Sequence, residues 1–365
     1  MERVSTAQAS IRIRDFSRYR PGVTTGEPAT SDVDPFVTAA EAGVHRIAIP
    51  TPFAVGRVNV YLIEDDPLTL VDAGPNSGTS LDELERGVAR LGHALEDIEL
   101  VILTHQHIDH LGLVSLVAAR SGAEVAAIDA AVPFVENFSE EAQADDDFAR
   151  TTMLRHGIPQ DVVDALSSVS RAFRAWGARA DVTRVLRDGD ELLFGNRAFR
   201  VHHRPGHSPT DTVFHDPERR MLLAADHLLG HISSNPIITR PRDPQTERPQ
   251  ALVTYLKSLG ATRAMDVDLV LPGHGDPITD HRGLIDARLD LHARRADRIH
   301  GLIRERPRTA YEVAQALWGN VAVTQAYLTL SEVLGHVDLL LNDGRARERE
   351  AGDGVSVFEP GPVAA

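Results

Sequence analysis

Seven side chains constrain this chain more than any other feature: His105, His107, Asp109 and His110 in one short run, then His207, Asp226 and His274. They make a complete donor set for two adjacent metal ions, and they act together only in a fold that returns four separated segments to one point. With 17 His in 365 residues, chance places His-x-His-x-acid-His in well under about one chain in a hundred. Imidazole mixed with carboxylate suits zinc, iron or manganese, whereas calcium or magnesium would draw oxygen ligands almost alone. Two divalent ions are therefore expected, with zinc first and iron or manganese as alternatives.

The flanking residues say how such a set is held. Leu100-Val-Ile-Leu-Thr-His105 reads as a buried strand ending in a turn, and Leu111 to Ala119 is apolar at helical spacing. The first four donors thus occupy a strand-to-helix loop, which can aim His105 and His107 one way and Asp109 and His110 the other. His207 and His274 each follow Pro-Gly after an apolar strand, a tight-turn pattern that fixes a side chain at a strand end. Asp226 closes the apolar run Met221-Leu-Leu-Ala-Ala225. His45, His93, His202, His203 and His215 lack such settings and read as ordinary polar residues.

In this order the seven residues closely resemble the metallo-β-lactamase-fold hydrolases. The likeness runs from about Val44 to Thr279 and includes an earlier pair of strands, Val58-Asn-Val-Tyr-Leu-Ile-Glu64 and Thr69-Leu-Val-Asp72-Ala-Gly74. It implies an α+β fold, an αβ/βα four-layer sandwich. His105, His107 and His207 would hold one metal, Asp109, His110 and His274 the other, with Asp226 bridging and Asp72 orienting the site from behind. The full set points to the glyoxalase-II-like and nuclease-like branches. It implies a hydrolase whose metals, about 3.5–4 Å apart, share a hydroxide aimed at an ester, thioester or lactone. Catalytic roles then fall to Asp109 and Asp226, and to His231 as proton donor or oxyanion partner; His227 is the competing candidate, and a supporting or surface role is open for both.

Four segments are expected, the second carrying an insertion. Residues 1–40 read as an extended arm, 41–280 as the catalytic domain and 281–306 as a connecting helix. Within the domain, 131–180 is a helical insertion with Val162, Val163, Leu166, Val169, Phe173 and Trp176 on one side, either a core-facing stripe or a cap over the substrate. Residues 307–365 open on the capping box Thr309-Ala-Tyr-Glu312 and resemble a winged-helix module. The stretch that would enter a DNA groove, Thr324 to Leu341, contains no Lys or Arg and carries Glu332 and Asp338, so packing or homodimerisation is the expected role.

Composition narrows the classes. Net charge is −15, which opposes general attraction to nucleic acid, and Cys is absent, which removes disulfides and thiolate ligands. No long apolar run suggests a membrane span or secretion, so the cytoplasm is the expected location. A small-molecule substrate is expected. The alternatives are a ribonuclease-like phosphodiesterase, which needs a basic path to the metals, and a non-hydrolytic diiron redox or regulatory protein.

Overall fold

The structure is a computed structural model that describes residues 34–362. The arm expected over 1–40 therefore lies outside the described residues except at its end. That end is not extended: Pro35–Glu41 forms a helix (α1), begun by Asp34, whose carboxylate accepts the Phe36 N–H at 2.9 Å. Pro near the first turn and an Asp cap favour helix there.

Strands β1 (Val44–Ile49), β2 (Val58–Ile63), β3 (Thr69–Val71), β4 (Leu100–Ile102), β5 (Glu124–Ile128) and β6 (Arg184–Leu186) form one sheet in that order. β1 to β3 pair antiparallel and β3 to β6 parallel. Between them run α2 (Gly78–Arg90), α3 (Ile108–Leu111), α4 (Val114–Ser121) and the insertion helices α5 (Val132–Glu136), α6 (Phe138–Arg155) and α7 (Gln160–Phe173). The second sheet has the order β11-β10-β9-β8-β7, with β7 (Glu191–Leu193), β8 (Ala198–His203), β9 (Thr212–Asp216), β10 (Met221–Ala225) and β11 (Leu269–Pro272).

Strand alternation divides the core. Met221 and Leu223 of β10 face the main cluster shared with β1–β5, while Leu222 and Ala224 face a cluster with Leu252, Tyr255 and Leu259 of α8 (Ala251–Arg263). With α2 and α4 against the first sheet and α8 against the second, this is a four-layer sandwich, and both sheets send their loops to one edge.

The remaining helices are less separate than their sequence suggests. α9 (His281–Glu305) buries Ile285 in the α8 cluster, and Ala296, Ile299 and Ile303 in another cluster. That second cluster joins Met153, Ile158 and Val163 of the insertion to α10 (Ala310–Trp318) and α12 (Ala326–Asn342). A fully buried isoleucine contributes roughly 1.5–3 kcal/mol, so α9 is a spine and not a bare connector. The short α11 (Val321–Thr324) precedes α12, and β12 (Ala346–Glu350) pairs antiparallel with β13 (Ser356–Pro360). α12, the stretch lacking Lys and Arg, is buried at Leu330, Leu334, Val337 and Leu340 among others. It is a core helix of this chain and presents no free face for a groove.

Candidate metal centre

All seven donors meet at the edge of the sandwich where strands end. β4 delivers His105, His107 precedes α3, and α3 carries Asp109 and His110. His207 follows β8, Asp226 is the residue after β10, and His274 follows β11. The close fit leaves no room for a side chain at Gly273, where a Cβ would collide with Asp226 Oδ1. The Pro-Gly before His274 is thus demanded by packing as well as by the turn.

Two groups of donor atoms form. In the first, His107 Nδ1 lies 3.1 Å from His105 Nε2 and 3.0 Å from His207 Nε2. Ligands about 2.0–2.1 Å from a tetrahedral zinc stand roughly 3.3 Å apart, close to this spacing. In the second, His274 Nε2 is 3.4 Å from Asp109 Oδ2, and His110 Nε2 belongs to the same group. Asp226 reaches both: its oxygens lie 3.5 Å from His110 Nε2, 3.5 Å from His274 Nε2 and 3.6 Å from His207 Nε2.

The outward nitrogens are held by the chain. The Nδ1–H of His110 donates to Asp72 Oδ2 at 2.7 Å, that of His207 to the Asn235 carbonyl at 3.1 Å, and that of His274 to the Arg57 carbonyl at 2.9 Å. The Thr104 hydroxyl donates to Asp72 Oδ2 at 2.8 Å and accepts from His105 Nδ1 at 3.0 Å. These bonds leave the Nε2 lone pairs of His105 and His207 both facing His107 Nδ1, which has at most one proton to offer. The second group shows the same deficit, because His110 Nε2, Asp226 Oδ1 and His274 Nε2 are buried with no hydrogen-bond partner. Buried polar atoms left facing one another are costly unless a cation sits between them, so the donor set fits metal binding. Asp72 holds its position at φ 61°, a left-handed conformation tolerated because its carboxylate takes three bonds, from Thr104 N, Thr104 Oγ1 and His110.

Charge follows geometry. Burial, then neighbouring His207, pushes His107 down to about 3, and burial holds His105 well below the usual range. Burial would lower His110 as well, but Asp72, Asp226 and Asp109 together raise it well above its ordinary value. Burial would raise Asp226, yet His274 and His110 hold it far down as a carboxylate. Without a cation, protons on the imidazoles balance the carboxylates; a metal would displace them.

The two other histidine candidates part company. His227 is buried away from the donors, its Nε2 at 2.8 Å from Thr262 Oγ1 and its ring against Tyr255. His231 lines a cleft beside the site, against Gly275, the residue after His274. The insertion stripe also splits. Val162, Val163 and Leu166 join the helical core, Val169 is exposed, and Phe173 and Trp176 pack on Phe53 at 5.5 and 6.0 Å. That trio borders the donors, since Trp176 O accepts the Asn76 N–H and Gly177 abuts Ile108. Sequence reading missed Phe53, Thr104, Asn235 and the Arg57 carbonyl; of these only Thr104, adjoining the first histidine, carried a local signal.

Residues 54–274 match the family model described as metallo-beta-lactamase superfamily. A probable metallo-hydrolase of Bacillus subtilis (strain 168) is 36% identical over 298 residues, 81% of this chain and 92% of the relative. An acyl-coenzyme A thioesterase of Bos taurus is 32% identical over 47% of this chain and 58% of its own length. Among solved structures, a beta-lactamase domain protein from Burkholderia ambifaria aligns with TM-score 0.75 and 27% identity, covering 87% of this chain and 92% of its own. A metallo-beta-lactamase family protein from Thermus thermophilus gives TM-score 0.73 and 25% identity over 87% and 98%. On the strength of that match and of the strand-end donor set, this chain belongs to the metallo-beta-lactamase superfamily and is a hydrolase.

Proposed function

We propose that the chain is a dinuclear, zinc-type hydrolase of thioesters and related activated esters. The observation that carries this is the pair of donor groups with orphaned inward atoms joined by Asp226. His105, His107 and His207 would hold one cation, Asp109, His110 and His274 the other. Such a pair supplies a water acidified toward neutrality and polarises the substrate carbonyl.

The chain's own residues do the rest. Burial would raise Asp109, but His110 and His274 keep it ionised, able to accept a proton from the attacking water. Burial, then His274 and Arg288, lowers His231. Its ring is therefore neutral near pH 7 and, among the described residues, bonded to nothing, so an N–H is free to donate to the oxyanion or the leaving group. Phe53, Phe173 and Trp176 offer an apolar shelf for an acyl chain. The thioesterase name of one relative supports the same substrate class. An RNA substrate is disfavoured by the buried α12 and by a net charge of −15. Absence of cysteine fits a reducing compartment such as the cytoplasm.

Metal analysis with a panel of acyl thioesters, esters, lactones and RNA tests the reading. About two metals per chain with hydrolysis strongest on thioesters is expected. A fully loaded protein inert toward every acyl substrate, or one preferring RNA, overturns it.

A further inference from the structure

The segment joining β1 to β2, residues 50–57, has two faces of different chemistry. Phe53 near its tip belongs to the aromatic shelf. Arg57 at its root opens, with Arg46 of β1, onto a cleft of about 530 Å³. The opposite wall is His231, five residues past Asp226, with Gly275 and Asp276 immediately after His274. The cleft therefore starts beside the second donor group; the Arg57 carbonyl itself receives His274 Nδ1.

Arg46 has charge to spare, and Arg57 shares its one acidic partner, Glu83, with Arg86. The Arg46 guanidinium lies 4.3 Å from the Phe36 ring centroid and, among the described residues, forms no ion pair. Arg57 engages Ala48 O through Nε and Nη2 at 3.2 and 2.6 Å and meets Glu83 at 3.3 Å, half exposed, which leaves Nη1 open. By contrast Arg240 and Arg242 are tied to Glu141, and Arg248 to Asp338. Asp276 is the one acid lining the cleft, against two guanidiniums. In a chain of net charge −15, an open cleft with two guanidiniums next to the site is set to attract a ligand of opposite sign.

Resting on the thioesterase reading above, we infer that this cleft receives the phosphate-bearing tail of the thiol carrier, while the acyl chain lies on the aromatic shelf. Guanidinium groups suit phosphate because their paired N–H donors match its oxygens. A substrate with an apolar acyl end and an anionic carrier end would then straddle the 50–57 segment, its carbonyl between. Arg46 and Arg57 would be specificity determinants, acting on binding of the tail and not on bond cleavage.

The test compares two thioesters with the same acyl group: one on coenzyme A, one on pantetheine, which lacks the phosphates and the nucleotide. In wild type, kcat/KM should favour the coenzyme A ester. In Arg46→Ala that preference should fall about tenfold, mainly through KM, and in Arg46→Ala/Arg57→Ala further, as expected for lost charge-assisted bonds. Arg46→Lys should restore part of it, and raised salt should shrink it in wild type and leave it unchanged in the double variant. Calorimetry with free coenzyme A reads the cleft independently of catalysis: wild type should bind, and Arg46→Ala should bind about tenfold more weakly. An unchanged preference in both variants, or coenzyme A binding that is absent in wild type or untouched by the substitutions, overturns the inference. If no thioester is hydrolysed but coenzyme A binding depends on Arg46, the catalytic reading falls and the cleft stands.

Discussion

Among the described residues, two clusters of histidine with acidic side chains come within metal-binding proximity, and they differ in one physical respect. At the strand ends, His110 Nε2, Asp226 Oδ1 and His274 Nε2 are buried and unsatisfied. Between α9 and α12, His292, Glu332 and His336 come equally close, yet every donor there has a partner. The Ser233 hydroxyl lies 3.4 Å from His292 Nε2, His292 Nδ1–H donates to His336 Nε2 at 3.1 Å, and His336 Nδ1–H donates to the Glu332 carbonyl at 2.6 Å. The Glu332 carboxylate is taken by Arg295. The shifts also differ. Carboxylates raise His110 and His274 against their burial, whereas burial lowers His292, to about 4, and His336. Residue type and spacing make a cluster eligible for metal; unsatisfied inward atoms decide that it needs one.

The contrast breaks most visibly if the wrong cluster holds the metal. Asp226→Ala should lose most bound metal and lower kcat/KM by on the order of a thousandfold, since under the proposed dinuclear reading both ions would lose a shared ligand. His336→Ala should leave metal content unchanged and instead lower stability by about 1–3 kcal/mol, because it strands buried partners. Metal analysis of the two proteins with urea unfolding checks this; metal lost in the His336 protein and kept in the Asp226 protein would reverse the assignment.

Next in size is Asp72→Ala, which removes the acceptor of His110 and of Thr104 without touching a donor atom. Metal affinity should fall roughly 10–100-fold, measured by competition with a chelator. The pH dependence sharpens the comparison from the other side. His292 and His156 are held at about 4, burial being the main cause, against an ordinary 6.5. The unfolded chain therefore binds more protons between those values, so their contribution is present above about pH 6.5 and is lost as pH falls toward 4. Unfolding at pH 7.5 and 5.5 should differ by about 1 kcal/mol per histidine, and His292→Gln should flatten the slope. An unaltered slope in that variant would mean His292 is not buried neutral. At the metal site acid also weakens binding, because protons on His110 and His274 compete with the ion. Smallest is Phe173→Ala, expected to cut the preference for long over short acyl chains several-fold with metal content intact; an unchanged preference would place the acyl chain elsewhere.

That these seven side chains converge was legible in the sequence because the pattern that places them is local. His105, His107, His207, Asp226 and His274 follow strands and Asp109 and His110 sit in the short helix α3 after β4, and the fold brings these strand ends together on one sheet edge. The capping box at Thr309 and Glu312 was equally readable and is formed, with bonds of 3.1 and 2.9 Å. The apolar stripe on α7 was legible as a stripe but not in its destination. Periodicity states that one face is buried, not what buries it: here Val162, Val163 and Leu166 pack into a cluster that also holds residues of α9, α10 and α12, while Phe173 turns to Phe53.

By itself the sequence determined which side chains could bind metal, because imidazole and carboxylate at fixed spacing express their chemistry wherever the backbone places them. Only the tertiary structure decided which nitrogen of each ring faces inward. That choice is set by the Arg57 and Asn235 carbonyls for two of the rings and by Asp72 for a third. It also decided that His292, Glu332 and His336 are satisfied by one another, Ser233 and Arg295, that α12 is core, and that Arg46 and Arg57 share a cleft with His231. These depend on contacts between segments far apart in sequence, and the satisfaction of a buried polar atom is a property of its neighbours.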